Sequence, residues 1–121
     1  MKTVLLIDDD EIEQKLLHAF LMRRYGDDFE LTYVDTLKAG IEHLQSKAYD
    51  AIFIDRILPP YVGAQESYPV LAPHVGAGQI IYISSDTSAY KTRAAAHESP
   101  VRFVDKLDMR DQIMAGLLDR P

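Results

Sequence analysis

Residues 3–10, Thr3-Val4-Leu5-Leu6-Ile7-Asp8-Asp9-Asp10, pass from a strand-forming run straight into three consecutive acids. The apolar part is continuous rather than alternating, which is the pattern of a central strand covered by helices on both faces. Asp10 is placed to cap a following helix. In that helix Ile12, Leu16, Ala19 and Phe20 recur at helical spacing and are expected to face the core, with Glu13, Lys15 and Arg23 facing away. Gly26 is the expected stop.

Working outward, the same alternation of short apolar runs and amphipathic stretches repeats along the chain. Phe29–Val34 reads as a second strand, Thr36 as the cap of a helix carrying Leu37, Ile41 and Leu44 inward, and 51–54 as a third strand ending at Asp55. Pro59, Pro60, Pro69 and Pro73 limit any helix in the next stretch, so a short one is expected from about Ser67 or Tyr68. A fourth strand over 79–83, an alanine-rich helix over 88–97, a fifth strand over 101–104 and a last helix over 108–118 complete the pattern. That last helix is expected to bury Ile113, Met114, Leu117 and Leu118. Five strands alternating with five helices predict an α/β fold, a doubly wound five-stranded parallel sheet of order 2-1-3-4-5, as one domain over 1–121.

Composition narrows the function. The chain has 121 residues, 47% of them hydrophobic, so it can bury a core and is not a disordered tail. It has no cysteine, which removes disulfides, thiol nucleophiles and cysteine-ligated metals, and fits a reducing cytoplasm. A net charge of −6 without a basic block gives nucleic acid no counter-ion-releasing surface, so no nucleic-acid partner is expected. The apolar run Val4 to Ile7 is too short for a signal peptide or a membrane span. A cytoplasmic protein with no membrane partner is expected.

In doubly wound sheets ligands bind beyond the carboxyl ends of the strands, where the winding reverses between strands 1 and 3. Here those ends carry Asp8 and Asp9 after strand 1, Asp55 after strand 3, Ser84 and Ser85 after strand 4, and Lys106 after strand 5. One helix cap needs one acid, which leaves Asp8 and Asp9 to explain. Carboxylates this close repel one another and raise each other's pKa unless a cation sits among them. A hard ion such as Mg²⁺ (or Mn²⁺) meets that need, since it takes oxygen ligands and completes its shell with water or phosphoryl oxygens. Asp55 beside a lysine is then a candidate nucleophile toward phosphorus, with Lys106 neutralising phosphoryl oxygens and Ser84 donating a hydrogen bond to one.

With these residues in place the chain resembles the response-regulator receiver domain of two-component signalling, over its whole length. Asp8 and Asp9 match the family's acidic pair, Asp55 its phosphoacceptor, Ser84 its switch hydroxyl, Lys106 its lysine and Phe103 its switch aromatic, with Pro59 and Gly63 in the loop after the phosphoacceptor. The resemblance implies a receiver fold of the flavodoxin-like kind. It implies Mg²⁺ held by Asp8, Asp9, Asp55 and the backbone carbonyl of Ile57, and phosphoryl transfer to Asp55 from a histidine kinase or phosphotransfer protein. It also implies an inward shift of Ser84 with rotation of Phe103, remodelling the face made by the helix over 88–97, the fifth strand and the last helix. Such a protein is no enzyme beyond its own phosphorylation and dephosphorylation. With 121 residues taken up by one such unit, output is expected by contact with a downstream target protein, from a monomer or weak dimer acting as a stand-alone effector or a phosphorelay shuttle. A second reading of the same fold is a binding module that signals by constitutive contact, independent of phosphorylation. It draws on Ser85, where the family prefers a smaller residue, and on Leu107, where the family carries a cis proline. A cis bond before leucine would cost about 2.5–4 kcal/mol, so a trans bond is expected.

Other chemistries fit less well. A phosphatase of the haloacid-dehalogenase type needs a second aspartate two residues after its nucleophile, where this chain has Ile57. A flavin phosphate would be repelled by Asp8 to Asp10. Gly76-Ala77-Gly78 is a turn signal that needs no ligand, and His18, His43, His74 and His97 fall in separate elements without an i, i+4 partner, which argues against zinc. Tyr61, Tyr68 and Tyr90 are accounted for equally by packing or by a partner surface.

Ile57 and Asp86, each two residues beyond a site residue, flank the line of water attack and are expected to tune phosphoryl lifetime. Ile57→Asn is expected to speed loss of phosphate from Asp55, measured as dephosphorylation of the purified phosphoprotein; unchanged or slower loss would overturn this role.

Overall fold

The computed structural model describes residues 1–55, 64–84 and 101–119. Five parallel strands, β1 (Lys2–Ile7), β2 (Phe29–Val34), β3 (Ala51–Asp55), β4 (Gln79–Ser84) and β5 (Val101–Asp105), form one sheet in the order β2-β1-β3-β4-β5. Four α-helices accompany them among the described residues: α1 (Glu11–Tyr25), α2 (Leu37–Ser46), α3 (Ala64–Leu71) and α4 (Met109–Met114), with 3-10 turns at Ala72–His74 and Leu117–Asp119. The doubly wound sheet and its strand order are as the sequence predicts. The helix expected over 88–97 lies outside the described residues, as do Ile57, Asp86, Pro59, Gly63 and Ser85.

Alternate strand residues face opposite ways, so the sheet carries a core on each face. Val4, Leu6, Phe53, Ile81 and Ile83 pack with Leu17 and Leu21 of α1 and Met109 and Ile113 of α4. Leu5, Ile7, Ile52, Ile54, Ile80 and Tyr82 pack on the other face with Leu37 and Leu44 of α2 and Leu71 of α3. The central strands are closed to water on both sides, which is why their sequences do not alternate. No helix of the described residues is long and apolar enough to cross a membrane.

Three local expectations are corrected. In α1 the buried residues are Glu13, Leu17 and Leu21, while Ile12 and Leu16 are 59% and 42% exposed. Apolar residues lie all round this helix, so periodicity alone offered two stripes; the one chosen packs against the sheet and α4 and carries Glu13 inward with it. Helix α3 begins at Ala64 and runs through Pro69, whose missing N–H removes one hydrogen bond without ending the helix. The last helix stops at Met114, which is exposed, because Gly116 takes a positive φ of 96° and turns the chain so that Leu117 and Leu118 reach the core from a 3-10 turn.

Gly78 precedes β4 under a tight approach: a Cβ there would lie 2.5 Å from the Tyr49 carbonyl oxygen and 3.0 Å from Ile52 Cδ1. Because the obstacle is backbone, Gly78→Ala is expected to cost about 1–3 kcal/mol, the usual range for overpacking, read from the urea midpoint. An unchanged midpoint would show that the strand entry gives way.

Candidate functional site

The strand register brings the acids together. Ile7 pairs with Ile54 on β3 and with Val34 on β2, so Asp8 and Asp55 each stand one residue further along neighbouring strands. One carboxylate oxygen from each of Asp8, Asp9 and Asp55 lies within 4.8 Å of the others. Asp8 is fully buried; its N–H donates to the Val34 carbonyl (3.1 Å), and its Oδ1 accepts from the Asp10 N–H (2.9 Å). Asp10 does the separate job expected of it, accepting from the Ile12 N–H at 3.0 Å as the cap of α1.

Lys106 enters from the β5–α4 turn. Its N–H donates to the Ser84 carbonyl (2.9 Å), which ties the lysine to the end of β4. The turn is closed by Asp105, whose Oδ1 accepts from the Leu107 N–H (2.9 Å) and whose carbonyl accepts from the Asp108 N–H (2.8 Å). Leu107 is left 86% exposed at the rim. The Lys106 ammonium lies 3.3 Å from Asp8 Oδ2 and 3.8 Å from Glu13 Oε1. At 3.3 Å the first contact is an ion pair longer than a strong charge-assisted hydrogen bond, and Asp8 Oδ2 has no well-formed partner.

Among the described residues the acids at this strand end act on one another as well as on Lys106. Burial works against the Lys106 ammonium, yet Asp55, Asp8 and Glu13 together outweigh it and hold its pKa above the ordinary lysine value. Burial pushes Asp8 up, and the Asp10 N–H and Lys106 offset this only in part. Burial also pushes Glu13 up; Lys106 relieves it while Asp8, Asp10 and Asp55 reinforce it. Lys106, Asp8 and Glu13 are therefore raised together, which a lone ion pair would not do. Among the described residues, Lys106 feels the charge of three carboxylates, and Asp8 and Glu13 share it. Three carboxylates gathered at one point, one of them buried with an unmet oxygen, fit a hard divalent cation.

Ser84 is buried at the last position of β4, opposite Asp105. Phe103 is half-buried on β5 and stacks on its register partner Tyr82, with ring centroids 5.6 Å apart and planes at 19°. Burial raises the Tyr82 phenol to about 12, and the phenol shares a hydrogen bond of 2.8 Å with Ser67 of α3. The structure thus brings Asp8, Asp9 and Asp55 into one crevice and sets Lys106 against Asp8. Ser84 stands at the next strand end, and Phe103 further back on β5. The sequence reading missed Glu13, although its place four residues before Leu17 and eight before Leu21 was a signal. It also missed Asp105, which closes the turn that carries the lysine.

No protein-family model and no curated protein matches the sequence. Solved structures do match it along nearly its whole length. The CheY-like receiver domain of a response regulator from Methylobacillus flagellatus shares 17% identity at a TM-score of 0.75, covering 98% of each chain. The receiver domain of a sensor histidine kinase from Pseudomonas aeruginosa, described with magnesium coordinated in its active-site cleft, shares 20% at 0.71, covering 98% of this chain and 95% of that one. A response-regulator receiver protein from Sinorhizobium medicae shares 24% at 0.68, covering 98% and 94%. The fold is that of the response-regulator receiver domain.

The raised carboxyls set a pH dependence. Asp8 binds protons more tightly in the folded than in the unfolded chain, so the stability it contributes is full below about pH 4, the unfolded aspartate range, and is lost as pH rises through its folded value. In chelator, Asp8→Asn is expected to gain stability relative to wild type between pH 4 and pH 7, measured by urea unfolding. A difference that stays constant with pH would overturn this assignment.

Proposed function

We propose that the chain is a response regulator that takes a phosphoryl group on Asp55 from a histidine kinase or phosphotransfer protein and signals by contact with a target protein. The observation that carries this reading is the crevice of Asp8, Asp9 and Asp55 at the carboxyl edge of a receiver-fold sheet, with Lys106 drawn into it. Asp8, Asp9 and Asp55, with the Ile57 carbonyl, would hold Mg²⁺ or Mn²⁺. Such an ion supplies charge neutralisation and orientation for the incoming phosphoryl group.

In the proposed step an Asp55 carboxylate oxygen attacks phosphorus as the phosphorus–nitrogen bond of phosphohistidine breaks. The bonding electron pair leaves with the imidazole, and an acyl phosphate remains on Asp55. Lys106 pairs with a phosphoryl oxygen and the Ser84 hydroxyl donates to another. Ser84 and Lys106 are already linked through the backbone, so a shift at one moves the other. Phe103, on the strand that ends beside them, would carry the change to the surface that β5 shares with α4. Hydrolysis of the acyl phosphate by water returns the carboxylate and releases inorganic phosphate.

Incubation with acetyl phosphate and Mg²⁺ is expected to add one phosphoryl group by intact mass, and beryllofluoride with Mg²⁺ to change the tyrosine signal. Both responses should disappear in Asp55→Asn or in chelator. A chain that binds its target yet shows neither response would instead be a receiver-fold module acting by constitutive contact.

A further inference from the structure

Resting on the reading of Asp55 as phosphoacceptor, we infer that Glu13 is a positioning residue that competes with Asp55 for Lys106 and so opposes the phosphorylated state. Glu13 stands one turn before Leu17 and two before Leu21 on the buried stripe of α1, and the burial of those leucines against Met109 and Ile113 fixes where it points. It is only 8% exposed, and its Oε2 is buried with no hydrogen-bond partner. Its other oxygen lies 3.8 Å from Lys106 Nζ, on the α1 side of the crevice.

Lys106 is thus shared among Asp8 and Glu13, both buried, and Asp55, whose charge acts on it most strongly, before any phosphoryl group arrives. Its side chain is 19% exposed, so little water is available to screen the competition. A phosphoryl group on Asp55 brings roughly 1.5 to 2 negative charges. To meet it the ammonium must give up part of its contact with Glu13, and the abandoned carboxylate is left buried without a counter-ion. The charge of Asp55 already acts on Glu13 at rest, so a more negative group at the same place is felt more strongly. Toward a divalent cation the same acid works the other way, adding to the negative field that attracts it. Glu13 therefore sets two affinities in opposite directions, which a residue that merely supports the fold would not do.

The test is calorimetric titration of Mg²⁺ into the protein, followed by beryllofluoride into the magnesium-saturated protein. Glu13→Gln, which keeps the size, and Glu13→Leu, which continues the apolar stripe of α1, are expected to bind beryllofluoride about three- to tenfold more tightly, the usual coupling between charged neighbours. Both should bind Mg²⁺ more weakly. Beryllofluoride affinity that is unchanged or weaker in both variants, or the two affinities moving in the same direction, overturns the role of Glu13 and leaves the phosphoacceptor reading standing. A wild-type protein that binds Mg²⁺ but not beryllofluoride overturns the phosphoacceptor reading, and this inference with it.

Discussion

A parallel sheet covered on both faces has no room for polar side chains along its central strands, and that constraint decides where chemistry can occur. Val4 to Ile7 and Ala51 to Ile54 are buried throughout, so the first residues able to carry charge are those at which the strands run out. Because β1 and β3 run parallel in register, they run out side by side, and their terminal acids face one another. Burying Asp8 completely would be prohibitive in an apolar setting. It is tolerable here because a backbone N–H and a lysine share the load.

The helices then divide the work of holding that edge. Asp10 caps α1 and fixes its start, which sets the rotation of the helix and so delivers Glu13 to the lysine. On the far side the Asp105 turn and the Ser84 carbonyl hold the backbone of Lys106, leaving only its side chain to choose among the acids.

Much of this was legible in the sequence, and the reasons differ from element to element. Continuous apolar runs announced the buried strands, and three acids after the first could not all be caps, so Asp8, Asp9 and Asp55 could be placed before any coordinates. The face of α1 could not. Ile12, Leu16, Leu17, Phe20, Leu21, Met22 and Tyr25 circle the helix, and choosing between Leu16 and Leu17 depends on a neighbour, α4, whose contact is made from the other end of the chain. The wrong stripe put Glu13 in solvent and hid its part in the site. The early end of α4 was hidden for a different reason: Gly116 is one residue in an otherwise plausible helical run, and only the backbone shows that it takes a positive φ.

The Tyr82–Phe103 stack gives the sheet edge a preferred resting position. Tyr82 is held from beyond by Ser67 and covered from beside by Phe103, so its ring has little freedom of its own. An aromatic pair of this kind adds about 0.5–1.5 kcal/mol beyond the area it buries, roughly a two- to tenfold bias between conformers. Phe103 thus sits in a shallow mechanical detent, one that makes excursions away from Tyr82 scarce without forbidding them.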